Sequence, residues 1–308
     1  MTHIINPLKK TIFLFFAVVL ALGFLSASAC AAEALSIPPI ASKPTVDGVI
    51  EAEEWADIHE YRKGETPVTM SIRIACDENS IYFAVKSTVP PDTRATAAIT
   101  EHDGDAIWGD DCIEVFLDTN RDQRTYYQFI VNANGAYLDS FVRNLEWDAQ
   151  TVFAAAKNEL GGWSCELSIP YESLSASEVT GIWGLAVTRH VKVNGESRGY
   201  LIFQGKHHSP ELWGEAVLPP QIGIPRTVEV VDRTVKDVQT ELAALKRKAR
   251  ESGVLRYVAD HFAVSESRLQ TITAERNDIS GGKKVREAQS LLDRSRAVAK
   301  RLEDHQAL

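Results

Sequence analysis

Two adjoining strand patterns between Trp108 and Gly135 constrain the fold of this chain more than any other segment. Strand side chains point to opposite faces in turn, so one alternate set in each strand must face a core. The apolar sets are Ile113, Val115 and Leu117 in the first strand and Phe129 and Val131 in the second. A polar turn at residues 120–123 joins the two strands. The segment therefore predicts an antiparallel strand pair with one buried face.

The opposite face of this pair carries Glu114, Gln128 and Asn132, and Trp108 lies just before the first strand. A carboxylate and two amides supply acceptors and donors for sugar hydroxyls, while an indole stacks on the C–H face of a sugar ring. These groups suit a sugar ligand. A plain solvated face is the alternative that the strand pattern alone favours, because antiparallel sheets commonly expose one polar side to water.

Six segments, in order along the chain, resemble the family-9 carbohydrate-binding modules. The central one contains Trp108, Asp111, Glu114 and the run YYQFIVNANG at residues 126–135. The others are PTVDGVIEAEEWADI at 44–58, ENSIYFAV at 78–85, WSCELSIPYESL at 163–174, WGLAVTRH at 183–190 and HHSPELWGEAVL at 207–218. The resemblance covers residues 37–218.

This resemblance implies a β-sandwich that clamps a sugar ring, often at a chain end, between two aromatic side chains. Trp108 occupies the first clamp position, and Glu114 occupies that of a hydroxyl-binding carboxylate. The second clamp position falls near His207 or His208, where the family pattern has Trp, and Ile130 stands where an Arg is expected. The predicted carbohydrate-binding residues are Trp108, Glu114, Gln128, Asn132, Arg189, His207 and Trp213, with Arg189 or Trp213 supplying the contacts that the two departures remove.

The N-terminal segment is typical of a secretory signal peptide. Lys9 and Lys10 precede an apolar run at residues 12–25, and small residues follow at 26–32. Cleavage after Ala29 or Ala31 would release a secreted or periplasmic protein with no membrane span. A lipid anchor at Cys30 is the less favoured alternative, because Ala27 stands where a lipid-attachment signal has Leu. A retained membrane anchor is a further alternative, although the apolar run is shorter than the roughly 20 residues that a spanning helix needs.

Three further cysteines, Cys76, Cys112 and Cys165, are too scattered for a cysteine-rich metal cluster. One disulfide could form among them in an oxidising compartment, but the sequence does not select a pair. Cys165 is in phase with Trp163, Leu167 and Ile169, which predicts a core position.

Charge divides the chain near Pro220. Residues 33–220 carry 29 acidic and 14 basic side chains, whereas residues 221–308 carry 13 acidic and 17 basic ones. The acidic part excludes nucleic acid as a partner, because nucleic-acid binding needs basic patches. Acidic clusters also attract cations, and the resemblance implies calcium in some members. The calcium candidates are Asp110, Asp111, Asp118 and Asp122, with Asp103, Asp105 and Asn120 beside them; solvated turn carboxylates are the alternative.

The last 88 residues lack Trp and change their periodicity. Val228, Val231, Val235, Val238, Leu242 and Leu245 recur at spacings of three and four, which predicts a coiled-coil-like helix. Gly253 and the Gly281–Gly282 pair mark turns. The apolar patterns after each turn predict further helical segments. We expect this C-terminal segment to act as a spacer, or as an element that binds a second copy of the chain or another protein.

The predicted fold is mostly β: an immunoglobulin- or jelly-roll-like antiparallel β-sandwich followed by a C-terminal α-helical hairpin or bundle. Residues 1–31 form the signal peptide, 32–220 the sandwich and 221–308 the helical tail. The predicted function is carbohydrate binding accessory to polysaccharide degradation or uptake, with no catalytic residue assigned and no cofactor beyond calcium.

Two other functions stay open. A glycoside hydrolase would need an acid and a base carboxylate roughly 5–10 Å apart. A haem-binding electron-transfer module, of the DOMON type related to this family, would use Met70 with His190, His207 or His208.

Overall fold

The computed structural model describes residues 34–104, 106–174, 179–277 and 282–306, so the predicted signal peptide, Cys30 and Asp105 lie outside the described residues. The described chain forms strands up to residue 217 and helices from residue 220. The strands are β1 Leu35–Ser36, β2 Tyr61–Glu65, β3 Val68–Cys76, β4 Ser80–Ser87, β5 Cys112–Asp118, β6 Tyr127–Asn132, β7 Tyr137–Phe141, β8 Val152–Lys157, β9 Trp163–Pro170, β10 Ile182–Val193, β11 Glu196–Phe203 and β12 Gly214–Val217. The helices are α1 Pro220–Glu251, α2 Leu255–Ala274 and α3 Gly282–Gln306.

Two sheets form a sandwich. The larger sheet has the order β1-β12-β10-β5-β6-β7, with β11 also paired to β10, and the smaller has the order β2-β3-β4-β9-β8. The ladders are antiparallel except for β1 on β12, where Leu35 and Ser36 pair in parallel with Ala216 and Val217. The predicted β-sandwich is confirmed, with this short parallel edge as an addition.

The predicted alternation of β5 and β6 is confirmed. Ile113, Val115 and Leu117 are buried in the core between the sheets, together with Phe129 and Val131. Glu114 therefore points to the outer face of the larger sheet, and so does Gln128. Trp163 and Cys165 belong to the same core, which confirms the predicted position of Cys165. Cys76, Cys112 and Cys165 are all free, buried thiols in the described structure.

A buried ion pair ties the two sheets together. The Arg189 guanidinium donates to both Asp111 carboxylate oxygens, through Nε at 3.0 Å and Nη2 at 2.9 Å. Its Nη1 donates to the carbonyls of Thr69 and Thr88, which belong to the end of the smaller sheet. Asp111 also accepts from the Trp163 indole at 2.8 Å. A charge pair without exposed surface is tolerable only when its hydrogen bonds are satisfied, and here they are.

The helical tail packs into its own core and against the sandwich. Val231, Val235, Val238 and Leu242 are buried against α2 and α3, as their spacing predicts, whereas Val228 is only half-buried. Ile222 joins the core of the sandwich. The predicted helical part is thus a bundle of three helices that begins at Pro220. No helix in the described ranges is long and apolar enough to cross a membrane.

Candidate functional site

Glu114 lies at the centre of the outer face of the larger sheet. It is fully buried, yet it is surrounded by polar groups: Gln128 Nε2 donates to Oε2 at 2.6 Å, and His207 Nε2 lies 3.0 Å from Oε1. Thr188, its cross-strand partner on β10, donates its hydroxyl to Oε1 at 3.5 Å. Strand pairing brings Glu114 beside Thr188, 74 positions away, and the loop after β11 adds His207, 93 positions away. The arrangement can accept and donate hydrogen bonds at one place on an apolar sheet.

His207 reaches Glu114 because the loop after β11 folds back over the sheet. Gly205 has φ +117° and lies against the backbone of Leu212, so no side chain fits there. The Trp213 indole donates to the Lys206 carbonyl at 2.8 Å and closes the loop. The Phe116 ring packs beneath the imidazoles, with centroids 5.4 Å from His207 and 5.1 Å from His208. The loop and the sheet together fix both imidazoles above the strands.

Two large aromatic side chains remain exposed near this face. Trp108 is 42% exposed and sits in a single 3₁₀ turn, Ile107–Gly109, which packs on β5 and β6. Tyr200 is 47% exposed on β11, opposite His190, and its ring lies 5.1 Å from that of His207. Burial, followed by the nearby Glu114 charge, raises the pKa of Tyr200. Both rings offer an apolar face to solvent.

Gln128 and Asn132 have different environments although they share a strand face. Gln128 contacts Glu114 directly, as a binding residue would. The Asn132 amide nitrogen donates to the Ile99 carbonyl and to Asp110, and its oxygen accepts from the backbone of Asn134 and Ala136. Asn132 is therefore committed to holding loops and has no exposed surface.

Arg189 and Trp213 do not lie where the sequence placed them, and both assignments are corrected. Arg189 faces the core between the sheets, because it is paired with Ile113 rather than with Glu114 in the β5–β10 ladder. It cannot reach a ligand on the outer face. Trp213 is 4% exposed beneath the loop and packs on Phe116 and Tyr126, so it supports the site without presenting a ring to solvent.

The acidic calcium candidates do not fit a calcium site. Asp110 accepts from the backbone of Ala98 and Ile99, and Asp111 from Arg189. Asp118 accepts from the backbone of Asp122 and Gln123, while Asp122 accepts from Arg124 and Thr125. Calcium needs six to eight converging oxygens, whereas each of these carboxylates accepts hydrogen bonds from N–H donors. Burial raises the pKa of Asp118 to about 6, as expected for a turn carboxylate short of solvent.

The haem alternative also lacks a matching geometry in the described structure. Met70 is fully buried in the core between the sheets, whereas His190, His207 and the adjoining imidazole lie on the outer face. Both nitrogens of His190 are engaged, by the Asp110 carbonyl and the Ser197 hydroxyl. For the hydrolase alternative, neither the ladder partners of Glu114, Thr188 and Ile130, nor its hydrogen-bond partners Gln128 and His207 supply a second carboxylate beside it.

A cleft of about 680 Å³ lies elsewhere, at the end of the sandwich lined by Arg62, Thr69, Thr88, Arg94 and Leu160. Its described lining contains no aromatic side chain. The open sheet face instead combines exposed aromatic rings with a satisfied polar cluster. The chemistry therefore favours the sheet face as the functional site.

Comparison with known protein families decides the class of the sandwich. Residues 44–220 match the family described as "Carbohydrate family 9 binding domain-like". The chain belongs to this family. The match ends where α1 begins, so the helical tail lies outside it. A search of curated proteins found no match.

Solved structures similar to this chain include two of a family-9 carbohydrate-binding module from Caldicellulosiruptor kristjanssonii, one in complex with cellotriose and one with glucose. Each has a TM-score of 0.46 and 17% identity and covers 60% of this chain, against 92% and 95% of the respective module. A putative carbohydrate-binding protein from Bacteroides uniformis gives the same TM-score, identity and coverage of this chain, with 98% of its own length covered.

The sequence did not indicate Tyr200, Thr188 or Tyr126 as site residues. The Asn194–Gly195 dipeptide was the missed signal, because it marks a two-residue hairpin turn between alternating strands. The resulting register places Tyr200 opposite His190, on the same face as Glu114. Tyr126 contacts His208 only through the loop after β11, and its role has no local signal.

Proposed function

We propose that the sandwich binds a carbohydrate on the outer face of the larger sheet. The observation that carries the proposal is the Glu114–Gln128–His207 cluster beside exposed Trp108 and Tyr200. Membership of a carbohydrate-binding family supports the same ligand class. Trp108 would stack on the sugar, while Glu114, Gln128 and His207 would exchange hydrogen bonds with its hydroxyls.

The open shape of the face predicts modest affinity. An exposed stacking surface with one carboxylate gains little beyond a few hydrogen bonds and the burial of one ring, and binding also costs side-chain ordering. A dissociation constant of about 1 μM to 1 mM is expected. The role that fits such affinity is retention of an enzyme or transport system near its polysaccharide, and we propose this accessory role in degradation or uptake.

The test is titration calorimetry of the purified protein with a panel of neutral oligosaccharides that includes cellotriose, in a buffer with a metal chelator. Saturable heat with at least one sugar is expected. Trp108→Ala should weaken that binding about tenfold, whereas Trp108→Phe, which keeps an aromatic face, should retain most of it. Glu114→Gln should weaken it about tenfold or more, because hydrogen bonds to a charged group are worth about 1.5–3 kcal/mol.

Glu53→Gln, on an exposed turn, is the matched control for the loss of a carboxylate and should bind as the parent does. Unchanged affinity in both Trp108→Ala and Glu114→Gln, with folding intact by circular dichroism, would place the sugar elsewhere. Absence of binding to every sugar in the panel would count against the ligand class itself.

We further propose that the protein is exported. The support is the order of Lys9 and Lys10, the apolar run at 12–25 and the small residues after it. Mass spectrometry of the protein recovered from its native host tests this proposal. A mature chain beginning at residue 30 or 32 in the periplasmic or secreted fraction is expected. A lipidated Cys30 would indicate an anchored form, and an intact N-terminus in the cytoplasm would contradict export.

A further inference from the structure

We propose that Glu114, His207 and His208 bind a late transition-metal ion such as Zn²⁺. One ligand atom from each of the three residues lies within 4.8 Å of the other two. No sugar is needed for this site, so metal binding stands or fails separately from carbohydrate binding. The ion would sit above the centre of the larger sheet, at the polar cluster described above.

The spacing of the donor atoms suits a small divalent ion. His207 Nε2 and Glu114 Oε1 lie 3.0 Å apart. Two ligands at about 2.0–2.1 Å from one Zn²⁺ in tetrahedral geometry are separated by about 3.3 Å. A metal ion can therefore replace the hydrogen bond between imidazole and carboxylate with a shift of a few tenths of an ångström.

The loop backbone presents two consecutive imidazoles to the same point. His208 has φ +49°, a left-handed conformation that non-glycine residues rarely adopt. As a result the rings of His207 and His208 lie with centroids 4.3 Å apart, whereas consecutive residues of an extended chain point to opposite sides. The Phe116 ring beneath them supports both.

Two of the three ligands, Glu114 and His208, are held by a further hydrogen bond, as metal ligands commonly are. Gln128 Nε2 donates to Oε2 of Glu114 at 2.6 Å and leaves Oε1 toward the imidazoles. The Tyr126 hydroxyl lies 3.0 Å from Nδ1 of His208, which leaves Nε2 of that ring for the ion. These partners fix the orientation of Glu114 and His208 before a metal arrives.

The ligand set selects the class of metal. Two imidazoles and one carboxylate suit Zn²⁺, Cu²⁺, Ni²⁺ or Co²⁺, whereas Ca²⁺ and Mg²⁺ prefer sets made of oxygen. Three protein ligands leave at least one coordination position for water or another small ligand. The His207 side chain is 26% exposed, so an ion has a path from solvent to this position.

The test is calorimetric titration of the untagged, metal-free protein with ZnCl₂, without sugar. One saturable site with micromolar or tighter affinity is expected. His207→Ala and His208→Ala should each weaken it at least tenfold. His59→Ala removes an exposed imidazole on another part of the sandwich and should leave it unchanged. Equal weakening by His59→Ala, or no saturable site in the parent, would overturn the proposal.

Tyr126→Phe tests whether the surrounding structure orients the metal ligands or whether neighbouring imidazoles bind the ion without such support. It keeps the ring that packs on Phe116 and Trp213 and removes only the hydroxyl beside His208. Loss of a partner that orients a metal ligand typically costs about 10–100-fold in metal affinity. A drop of about tenfold, with altered visible bands of the Co²⁺ form, is expected. Parent-like affinity and spectrum in this variant would contradict the site as described.

Discussion

The Asp111–Arg189 ion pair is the residue-scale contact that joins the sheets behind the binding face. Removing one partner leaves a buried charge uncompensated, which costs about 3–5 kcal/mol. Arg189→Met should therefore lower the free energy of unfolding by about that amount in urea titrations. Arg198→Met breaks an exposed pair with Glu196 and should cost at most about 1 kcal/mol. Similar losses in the two variants would show that the buried pair is not a structural tie.

Asp139 predicts a pH dependence of stability. It accepts from the Tyr137 hydroxyl and the Ala149 backbone, and burial raises its pKa to about 6. A carboxyl group with a higher pKa in the folded than in the unfolded state binds its proton more tightly when folded. Its contribution therefore favours folding as pH falls through about 6 and opposes folding as pH rises.

Asp139→Asn removes this titration while an amide oxygen still accepts both bonds. The variant should gain up to about 3 kcal/mol relative to the parent at pH 7.5, because each pKa unit is worth about 1.4 kcal/mol, and the gain should vanish near pH 4. Urea midpoints measured from pH 4 to pH 8 test this. Exposed Asp57→Asn serves as the control. A difference between Asp139→Asn and the parent that does not change with pH would contradict the titration of Asp139.

At the scale of elements, the loop after β11 decides whether the imidazoles reach Glu114. A Cβ at Gly205 would lie 2.6 Å from the Leu212 carbonyl oxygen, so Gly205→Ala must displace this loop. Sugar and zinc affinities should both fall at least tenfold. Gly195→Ala also places a side chain at positive φ, but with nothing within 4 Å, and should cost only about 1 kcal/mol of stability. Calorimetry measures the sugar and zinc affinities of both variants. Gly205→Ala combines a steric clash with an unfavourable φ, whereas Gly195→Ala has only the unfavourable φ. Intact binding in Gly205→Ala would show that the loop is not required.

The alternation of side chains between the two faces of a strand explains which parts of the site the sequence could predict. The alternation in β5 and β6 correctly places Glu114 and Gln128 on the outer face, because side-chain direction in a strand has a period of two. Arg189 was misplaced although it is in phase with Trp183, Leu185 and Val187, which line the core. An Arg side chain is rarely buried unless it is paired, and its pairing with Asp111 is a tertiary contact that local sequence does not show. Trp213 was misplaced because a loop has no regular alternation of side chains that would predict whether this tryptophan is buried. Its burial results from the fold of residues 204–213 over Phe116.

For the whole molecule, the amino-acid composition changes near Pro220, but the helical tail beyond it stays in contact with the sandwich. Helical spacing correctly predicts that α1 is a helix, yet composition could not indicate that Ile222 in its first turn packs into the core of the sandwich. Ile222 packs in that core, and Arg226 stacks on Tyr171 at 4.0 Å while donating to the Glu78 carbonyl. The Thr227 hydroxyl accepts the Gly181 backbone N–H at 2.8 Å. These contacts predict that the sandwich and the tail unfold together.

Two optical signals can test this coupling independently. All six Trp lie between Trp55 and Trp213, so tryptophan fluorescence reports on the sandwich, whereas the helical circular dichroism band reports mainly on the tail. The two urea transitions should coincide in the parent. Thr227→Val leaves the buried Gly181 N–H without its acceptor and should lower both midpoints, by about 1–3 kcal/mol in unfolding free energy. Thr240→Val, which loses only a bond to its own helix, should change neither. Separate transitions in the parent would instead mean that the tail folds as an independent body and that its contacts with the sandwich contribute little to the stability of either.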